Sequence, residues 1–422
     1  MSAGAGKTVA RNAAALYAVQ LVSYLIPLLE IPVLARALGP TLYGEILFCQ
    51  ALALTLSIFV EYGFNINAAQ QVAIHRDSPS YLNTLFSDVL LSKVLISAPM
   101  VVTLSALAWA FDVFSSPALL GFVLAYFCAF GFSPMWYFQG MERMGKVAVL
   151  DVLLRFAGLC LLFLLVRRPE DFLLALPIMA LPPLLNTALT SFWCRRSVGA
   201  VRWSLTGAWQ QLLGGFHFFI YRSAGNLVLA AAPMMLGLVA GNRVVGEFGP
   251  AEKLVRGMTS LVSPFLMAAF PFFSRRLSAS GASQSSFKIT LGVLFAIGLS
   301  ALLITLVGQV LGAWALQKML GSGFTGALDI FAVLVWLAPL RIMNQSVAML
   351  VLIPAGKSHQ ASYLLSGCSM MAIVLGSCLA FSWQGLGMGA GLLVGEAVLF
   401  IAQLYYVVVA LRELRSENTT PN

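Results

Sequence analysis

Charged residues interrupt stretches of this sequence that are otherwise almost wholly apolar, and they are the strongest candidates for chemistry. A charge inside a bilayer is costly, usually faces a protein-lined cavity, and is a functional candidate for that reason. We therefore expect such side chains to bind a ligand or to pair with one another. The basic residues that lie inside apolar stretches are Lys93, Arg155, Arg222, Lys253, Arg256 and Arg341.

Three of these basic residues have no acidic residue one helical turn away. Lys93, Arg222 and Arg341 lack an Asp or Glu at i±3 or i±4, the spacing that brings two side chains together on one helix face. Guanidinium and ammonium groups without a local carboxylate suit a phosphate or carboxylate ligand. We predict that Arg222, Arg341 and Lys93 bind the anionic head group of a substrate.

Two other arginines follow an acidic residue by four positions. Asp151 precedes Arg155 in this way, and we predict a structural ion pair between them. Glu252 precedes Arg256 with the same spacing, which leaves Lys253 without a local carboxylate. Lys253 is therefore a further candidate for binding the anionic head group. Arg256, on the same helix, is also a candidate.

Acidic residues are also present inside the apolar stretches. Glu61 and Glu396 lie near the middle of their stretches and have no basic residue one turn away. They are candidates for binding a coupling proton or sodium ion. The alternative is that each pairs with an arginine from another helix. The full set of such acids is Glu30, Glu61, Asp88, Asp151, Glu252 and Glu396.

The elements that must position these charges are membrane-spanning helices. The chain has 422 residues, 60% of them hydrophobic and 10% charged, and its mean hydropathy is +0.89. Soluble domains carry about 25% charged residues, and a membrane-spanning helix needs roughly 20 apolar residues. We predict an all-α polytopic membrane protein with about twelve spans: 11–36, 43–72, 83–110, 117–138, 145–166, 171–193, 210–240, 245–274, 287–312, 325–353, 361–382 and 386–411.

The loops between the spans predict the orientation. On the side of the N-terminus they hold fourteen Lys and Arg residues, against five on the opposite side. The excess of positive charge in cytoplasmic loops predicts that both termini are cytoplasmic. The net charge of +9 fits loops lying near an anionic leaflet. Nucleic-acid binding is not predicted, because no basic cluster is long enough for it.

The polar linker 194–209 divides the chain into halves of six spans each, residues 1–200 and 201–422. ALGPTLYGEI (37–46) and VAGNRVVGEF (239–248) both follow an odd-numbered span and share Gly-Glu, which suggests internal repeats. Transporters built from repeats carry the substrate site between them. No loop could hold a catalytic domain, and the six cysteines lack metal-ligand spacing. We predict neither an enzyme nor a cofactor or metal.

Five stretches carry a family resemblance in the expected order along both halves. They are PLLEIPVLARALGPTLYGEILFCQAL (27–52), EYGFNINAAQQVAIHRD (61–77), WYFQGMERM (136–144), GPAEKLVRGMTSLVSPF (249–265) and LIPAGKSHQ (352–360). Together they resemble the Wzx-type polysaccharide flippases, of the superfamily that also contains the MATE exporters and the lipid II flippases. Glu61 stands where that family more often has Asp, which keeps the charge.

The resemblance implies two six-helix bundles around a central cavity that opens alternately to each side. It implies a substrate, an undecaprenyl-pyrophosphate-linked oligosaccharide, moved from the cytoplasmic to the periplasmic leaflet of a bacterial inner membrane. The products would be O-antigen, capsule or exopolysaccharide. A proton or sodium gradient is the expected drive, because the sequence has no ATP-binding motif. Expected partners are the membrane and the polysaccharide polymerase and chain-length machinery, with no nucleic acid.

Three other functions are compatible with a polytopic chain. A MATE-like exporter of cationic drugs would favour acidic cavity residues, against which Arg222 and Arg341 argue. A membrane polymerase or ligase is expected to carry a sizeable outer loop, and the sequence has none. A structural membrane protein would tolerate substitution of single intramembrane charges.

Overall fold

The chain folds into helices of very different lengths. The computed structural model describes residues 3–111, 114–199, 203–277 and 284–417, and these residues form helices and no strand. In chain order the helices are Ala3–Glu61, Phe64–Ile74, Pro79–Phe111, Pro117–Gly131, Met135–Gly140, Met144–Leu165, the short 3-10 helix Pro169–Asp171, Phe172–Val198, Leu205–Ala240, Asn242–Ser260, Ser263–Leu277, Gln284–Met319, Ala327–Leu334, Leu337–Val347, the π-helix Ala348–Leu352 and Ser358–Glu417.

The helices account for the predicted membrane spans. Within the described ranges, nine helical segments are long and apolar enough to cross a membrane. Two of them consist of two helices joined at a break, at Gly39 in the first and at Gln384 in the last. With the helix Leu205–Ala240, these segments match the twelve spans predicted from the sequence one to one. The prediction of an all-α polytopic membrane protein is therefore confirmed.

The two repeat-like stretches have the same local structure, because each contains a glycine at which one helix ends and the next begins. Gly39 and Gly241 have φ angles of 74° and 85°, in the region that favours glycine. Each glycine is followed by a helix whose Gly-Glu pair brings a carboxylate into the protein. Glu45 and Glu247 are both 8% exposed, and Glu45 Oε1 accepts a hydrogen bond from Ser115 Oγ at 2.5 Å. The two stretches thus agree in backbone and in burial as well as in sequence.

Contacts divide the chain into two compact units, Met1–Met234 and Met235–Asn422. The boundary predicted from the polar linker, between residues 200 and 201, lies earlier in the chain than this observed boundary. The reason is that the helix Leu205–Ala240 contributes most of its length to the first unit. One contact that attaches this helix is a hydrogen bond from Ser92 Oγ to the carbonyl oxygen of Ala208, at 2.9 Å. The first unit therefore includes a helix that the sequence assigns to the second half.

In the first unit, the helix Phe172–Val198 packs against both Pro117–Gly131 and Met144–Leu165, and Ala3–Glu61 packs against Pro117–Gly131. In the second unit, Gln284–Met319 packs against Leu337–Val347. Large apolar side chains remain on the surface of both units. Such surfaces are expected where the surrounding solvent is lipid, and examples are Trp109, Phe163, Phe295 and Phe381.

Candidate functional site

Arg341 lies between two carboxylates that come from other helices of the second unit. Its Nε atom is 3.1 Å from Oε1 of Glu396, and its Nη1 atom is 3.9 Å from Oε1 of Glu252. The side chains of Arg341, Glu396 and Glu252 are 14%, 20% and 6% exposed. Arg341 has no carboxylate one turn away on its own helix, but tertiary contacts provide two from other helices, so it is not without a counter-charge.

Glu252 is also the partner of Arg256, as the spacing predicted. Arg256 donates from Nε to Oε1 at 3.1 Å and from Nη2 to Oε2 at 2.6 Å. This two-bond arrangement is the strong form of the arginine–carboxylate contact. Glu252 therefore binds one arginine from its own helix and lies within ion-pair distance of a second from another helix.

Glu396 has a second partner beside Arg341. Asn344 Nδ2 donates to Oε2 of Glu396 at 2.7 Å and to its backbone carbonyl oxygen at 3.0 Å. Arg341 and Asn344 are three positions apart, so both project from one face of the helix Leu337–Val347. Of the two interpretations of Glu396, the structure contains the pairing with an arginine from another helix.

The helix that carries Arg341 is short because the chain is irregular on both sides of it. It has eleven residues and begins after a turn at Val335 and Trp336. Pro339 lies in its first turn, where a missing backbone N–H has no cost. The π-helix Ala348–Leu352 follows directly, and single π turns inside helices are frequent at functional sites. We call Glu252, Arg256, Arg341, Asn344 and Glu396 the ionic cluster.

The ionic cluster contains two guanidinium groups and two carboxylates, so its formal charge is zero when both acids are ionised. Binding of one proton to either carboxylate leaves one positive charge in excess. A guanidinium fork that binds a carboxylate can equally bind a phosphate, because both present two oxygens in a plane. The arrangement can thus exchange a carboxylate partner for an anionic ligand when that carboxylate is neutralised.

Lys93 has hydrogen-bond partners that the sequence did not predict, and its binding of the anionic head group stays a prediction. It is 2% exposed, and its Nζ atom donates to the carbonyl oxygens of Gly131 at 2.8 Å and Ser133 at 3.2 Å. These carbonyls lie where the helix Pro117–Gly131 ends, and carbonyls at a helix end lack partners within the helix. Lys93 is therefore not uncompensated, and the charge of Glu61 also acts on it.

The expected pair of Asp151 and Arg155 forms in the first unit, with Arg155 Nε 2.8 Å from Asp151 Oδ2. Asn186 Nδ2 donates to the other carboxylate oxygen at 3.1 Å. A cavity of about 30 Å³ beside the pair is lined in part by Glu30, Tyr126 and Arg155. Asn186 and Tyr126 were not predicted as site residues, because both are neutral and the candidates were chosen by charge. For Asn186, an amide side chain inside an apolar span was the feature of the sequence that could have indicated a buried polar contact.

The remaining candidates have mixed outcomes. Arg222 belongs to the helix Leu205–Ala240, but its side chain lies outside the described residues. Lys253 is half-buried and has an interaction partner, and its binding of the anionic head group stays a prediction. Glu61 ends the first long helix, just before Tyr62 and Gly63 turn the chain with φ angles of 42° and 73°. Across the described ranges, no three His, Cys, Asp or Glu side chains come together as metal ligands.

Two of the motif stretches pack against each other in the first unit. Gly140 of WYFQGMERM lies against the helix Phe64–Ile74, where a Cβ atom at Gly140 would be 2.5 Å from the carbonyl oxygen of Ala69. It would also be 2.6 Å from Cβ of Val72. Arg76 and Glu142 form an exposed ion pair at 3.2 Å between the same stretches. The small residue in this motif thus has a packing explanation, and the acid has an ion-pair partner on the neighbouring stretch.

Comparisons with known proteins give the chain a family. Residues 9–277 match the family described as Polysaccharide biosynthesis protein. A protein of Escherichia coli (strain K12) named "Putative O-antigen transporter" is 29% identical over 414 residues, which cover 94% of this chain and 96% of that protein. A protein of the same name from Shigella dysenteriae is 22% identical and covers 93% of this chain and 98% of that protein.

Solved structures give the fold. The lipid II flippase MurJ, in an inward closed conformation, matches with a TM-score of 0.68 over 96% of this chain and 93% of that chain, at 10% identity. A multidrug resistance MATE family transporter of the MOP superfamily, facing inward, matches with a TM-score of 0.62 over 94% of this chain and 100% of that chain, at 12% identity. The family resemblance read from the sequence is therefore confirmed: the chain belongs to the polysaccharide biosynthesis protein family and has the fold of the MOP superfamily.

Proposed function

We propose that this chain is a flippase for lipid-linked saccharides. It would move undecaprenyl-pyrophosphate-linked oligosaccharide repeat units from the cytoplasmic to the periplasmic leaflet of a bacterial inner membrane, with both termini in the cytoplasm. The repeat units would serve O-antigen, capsule or exopolysaccharide synthesis. The family match and the name of the two relatives support this proposal.

The chemistry of such a substrate explains why charges inside the spans would be useful. A pyrophosphate and its sugars lose hydration in hydrocarbon, and an unpaired ionised group has a prohibitive cost there. Arginine forks can replace part of that hydration with charge-assisted hydrogen bonds. The lipid tail needs no such help, because it stays in the bilayer.

The observation that carries the proposal is the position of Arg341 between Glu396 and Glu252. In the proposed cycle, a proton binds Glu396 or Glu252 and removes one of the two negative charges that face Arg341. The guanidinium then takes a pyrophosphate oxygen in place of the carboxylate. Loss of the proton restores the carboxylate as a competitor and releases the substrate, so the binding of the substrate is linked to the binding of the proton. Arg256, Arg222 and Lys253 are the further candidates for the head group, and Glu61 is a second candidate for coupling.

Deletion of the gene tests the proposed function. Surface polysaccharide and the leaflet that holds the lipid-linked repeat unit would be measured in the deletion strain and after complementation with the wild-type gene. We expect loss of surface glycan, with repeat units accessible only from the cytoplasmic side. Repeat units that reach the periplasmic leaflet in the deletion strain would contradict the proposal and point to a later assembly step.

Variants of the ionic cluster separate coupling from binding. In proteoliposomes with an imposed pH gradient, Glu396→Gln should transport with a lower dependence on the gradient, and Arg341→Ala should not transport. A sodium gradient that drives the wild-type protein without a pH gradient would overturn the choice of the proton. An unchanged glycan and altered drug susceptibility in the deletion strain would instead favour the MATE-like exporter.

A further inference from the structure

The first unit contains a cavity that the proposed transport does not use. Its volume is about 430 Å³, within the range of roughly 300–1,000 Å³ that is typical of small-molecule sites. It lies beside the helices Pro79–Phe111 and Phe172–Val198 and beside the chain that follows Gly131. The accessible surface of its lining is mainly apolar, and its rings come from Phe86, Phe132, Trp136 and Phe192.

Two cationic side chains line this cavity, Lys93 and Arg195, and the hydroxyl of Ser191 is a further polar group. Arg195 lies in the last turn of the helix Phe172–Val198 and is exposed, at the helix end that the sequence predicts to face the cytoplasm. Lys93 also lines the cavity and is 2% exposed. Its ammonium group has three N–H donors, of which the carbonyl contacts to Gly131 and Ser133 account for two.

A ligand that fits must combine a long apolar part with an anionic group at one end. The rings exclude a fully hydrated ion, because water cannot satisfy its hydrogen bonds on apolar walls. A head without an anionic group would gain nothing from Arg195, and a head that also carries a cation would gain less than one with a net negative charge. An arginine fork at the membrane surface instead matches the oxygens of a phosphate.

We infer that this cavity binds an anionic phospholipid of the surrounding bilayer, with the phosphate at Arg195 and an acyl chain against Phe86, Phe132 and Phe192. The inference does not depend on the proposed transport. The site lies wholly within the first unit and would bind lipid whether or not the protein moves a saccharide.

Native mass spectrometry of the purified full-length protein tests the inference. The probes are phosphatidylglycerol and phosphatidylcholine with identical acyl chains, added at equal concentrations to the protein in detergent. Phosphatidylcholine has the same phosphate, but its choline cation cancels the net negative charge that attracts the lipid to Arg195. We therefore expect phosphatidylglycerol to be retained about tenfold more strongly, which is about 1.4 kcal/mol. Equal retention of the two lipids would overturn the inference.

Variants assign the binding to the cavity. Arg195→Gln should reduce phosphatidylglycerol to the level of phosphatidylcholine, whereas Arg196→Gln should leave retention unchanged, because Arg196 does not line the cavity. Ser191→Trp, which fills the cavity from its lining, should remove both lipids while the elution volume stays that of the wild type. Equal effects of Arg195→Gln and Arg196→Gln would contradict the assignment.

Two competitors separate this site from other anion sites. Inorganic phosphate should not displace phosphatidylglycerol at equal concentration, since it lacks the chain that fills the apolar part. Displacement by phosphate alone would reduce the site to a surface anion site. Displacement by undecaprenyl phosphate far below the concentration of phosphatidylglycerol would make the cavity part of the substrate path and overturn the choice of a bilayer phospholipid.

Discussion

Arg341 and Glu396 are 55 positions apart in the sequence, yet a hydrogen bond of 3.1 Å joins Nε of the arginine to Oε1 of the glutamate. The helix Leu337–Val347 carries the first residue and the helix Ser358–Glu417 carries the second. Both side chains are largely buried. A buried ion pair of this kind is costly to break by removing one partner, because the other charge remains without compensation.

The first prediction concerns this pair. Glu396→Gln and Arg341→Gln should each destabilise the protein by about 3 kcal/mol, whereas the double variant should lose clearly less than the sum. The measurement is the apparent melting temperature in detergent. Arg243→Gln is the matched control, because its pair with Glu247 involves an arginine that is 62% exposed, and exposed pairs contribute about 0–1 kcal/mol. Strictly additive losses in the double variant would show that the two side chains are not coupled.

The second prediction separates charge from geometry at Arg341. Arg341→Lys keeps a positive charge but cannot contact Glu396 and Glu252 with a planar fork. We expect complementation of a deletion strain with this variant to restore only part of the surface polysaccharide, and Arg341→Ala to restore none. Membrane insertion should be equal for both variants in an immunoblot of the membrane fraction. Full activity of Arg341→Ala would remove Arg341 from the transport mechanism.

The third prediction distinguishes the two roles considered for Lys93. As the donor to the carbonyls of Gly131 and Ser133, Lys93 should be needed for stability, and Lys93→Met should cost about 1–3 kcal/mol, the penalty for unsatisfied buried polar groups. Lys146→Met, at an exposed position, is the control and should have little effect. If Lys93→Met left the melting temperature unchanged but abolished transport, the original interpretation of Lys93 as an anion-binding residue would be restored.

The fourth prediction tests the packing of the two motif stretches. Gly140→Ala adds a methyl group 2.5 Å from the carbonyl oxygen of Ala69, so the helices must separate. Overpacking of this kind costs about 1–3 kcal/mol. Gly145→Ala is the matched control, because nothing lies within 4 Å of a Cβ atom at that position. The comparison of the two melting temperatures checks the prediction, and equal values would contradict the close approach.

The fifth prediction concerns Glu247, the second of the two buried Gly-Glu carboxylates. A Cβ atom at Gly326 would collide with Oε2 of Glu247. Gly326→Ala should therefore lower the melting temperature, and the additional change Glu247→Ala should recover part of the loss by making room. Gly292→Ala, where the added atom meets nothing within 4 Å, is the control. A silent Gly326→Ala would mean that the carboxylate moves freely.

The amino-acid sequence by itself determined the class of the fold and the family. A continuous run of about 20 apolar residues crosses a bilayer as a helix, because a helix satisfies its backbone polar groups within the same segment. The spans could therefore be predicted in order from the sequence. The pair of Asp151 and Arg155 could be predicted as well, because helical geometry alone brings residues four positions apart together.

Tertiary structure decided which charges have partners. Arg341, Glu396 and Lys93 looked uncompensated because their partners lie on other helices or on carbonyls at a helix end, and spacing within one helix contains no information about either. Asn186, Asn344 and Gly140 gave no charge signal, yet each makes a specific contact at a helix interface. The physical reason is that a single helix fixes only its own face, whereas the residue opposite that face depends on how the helices pack.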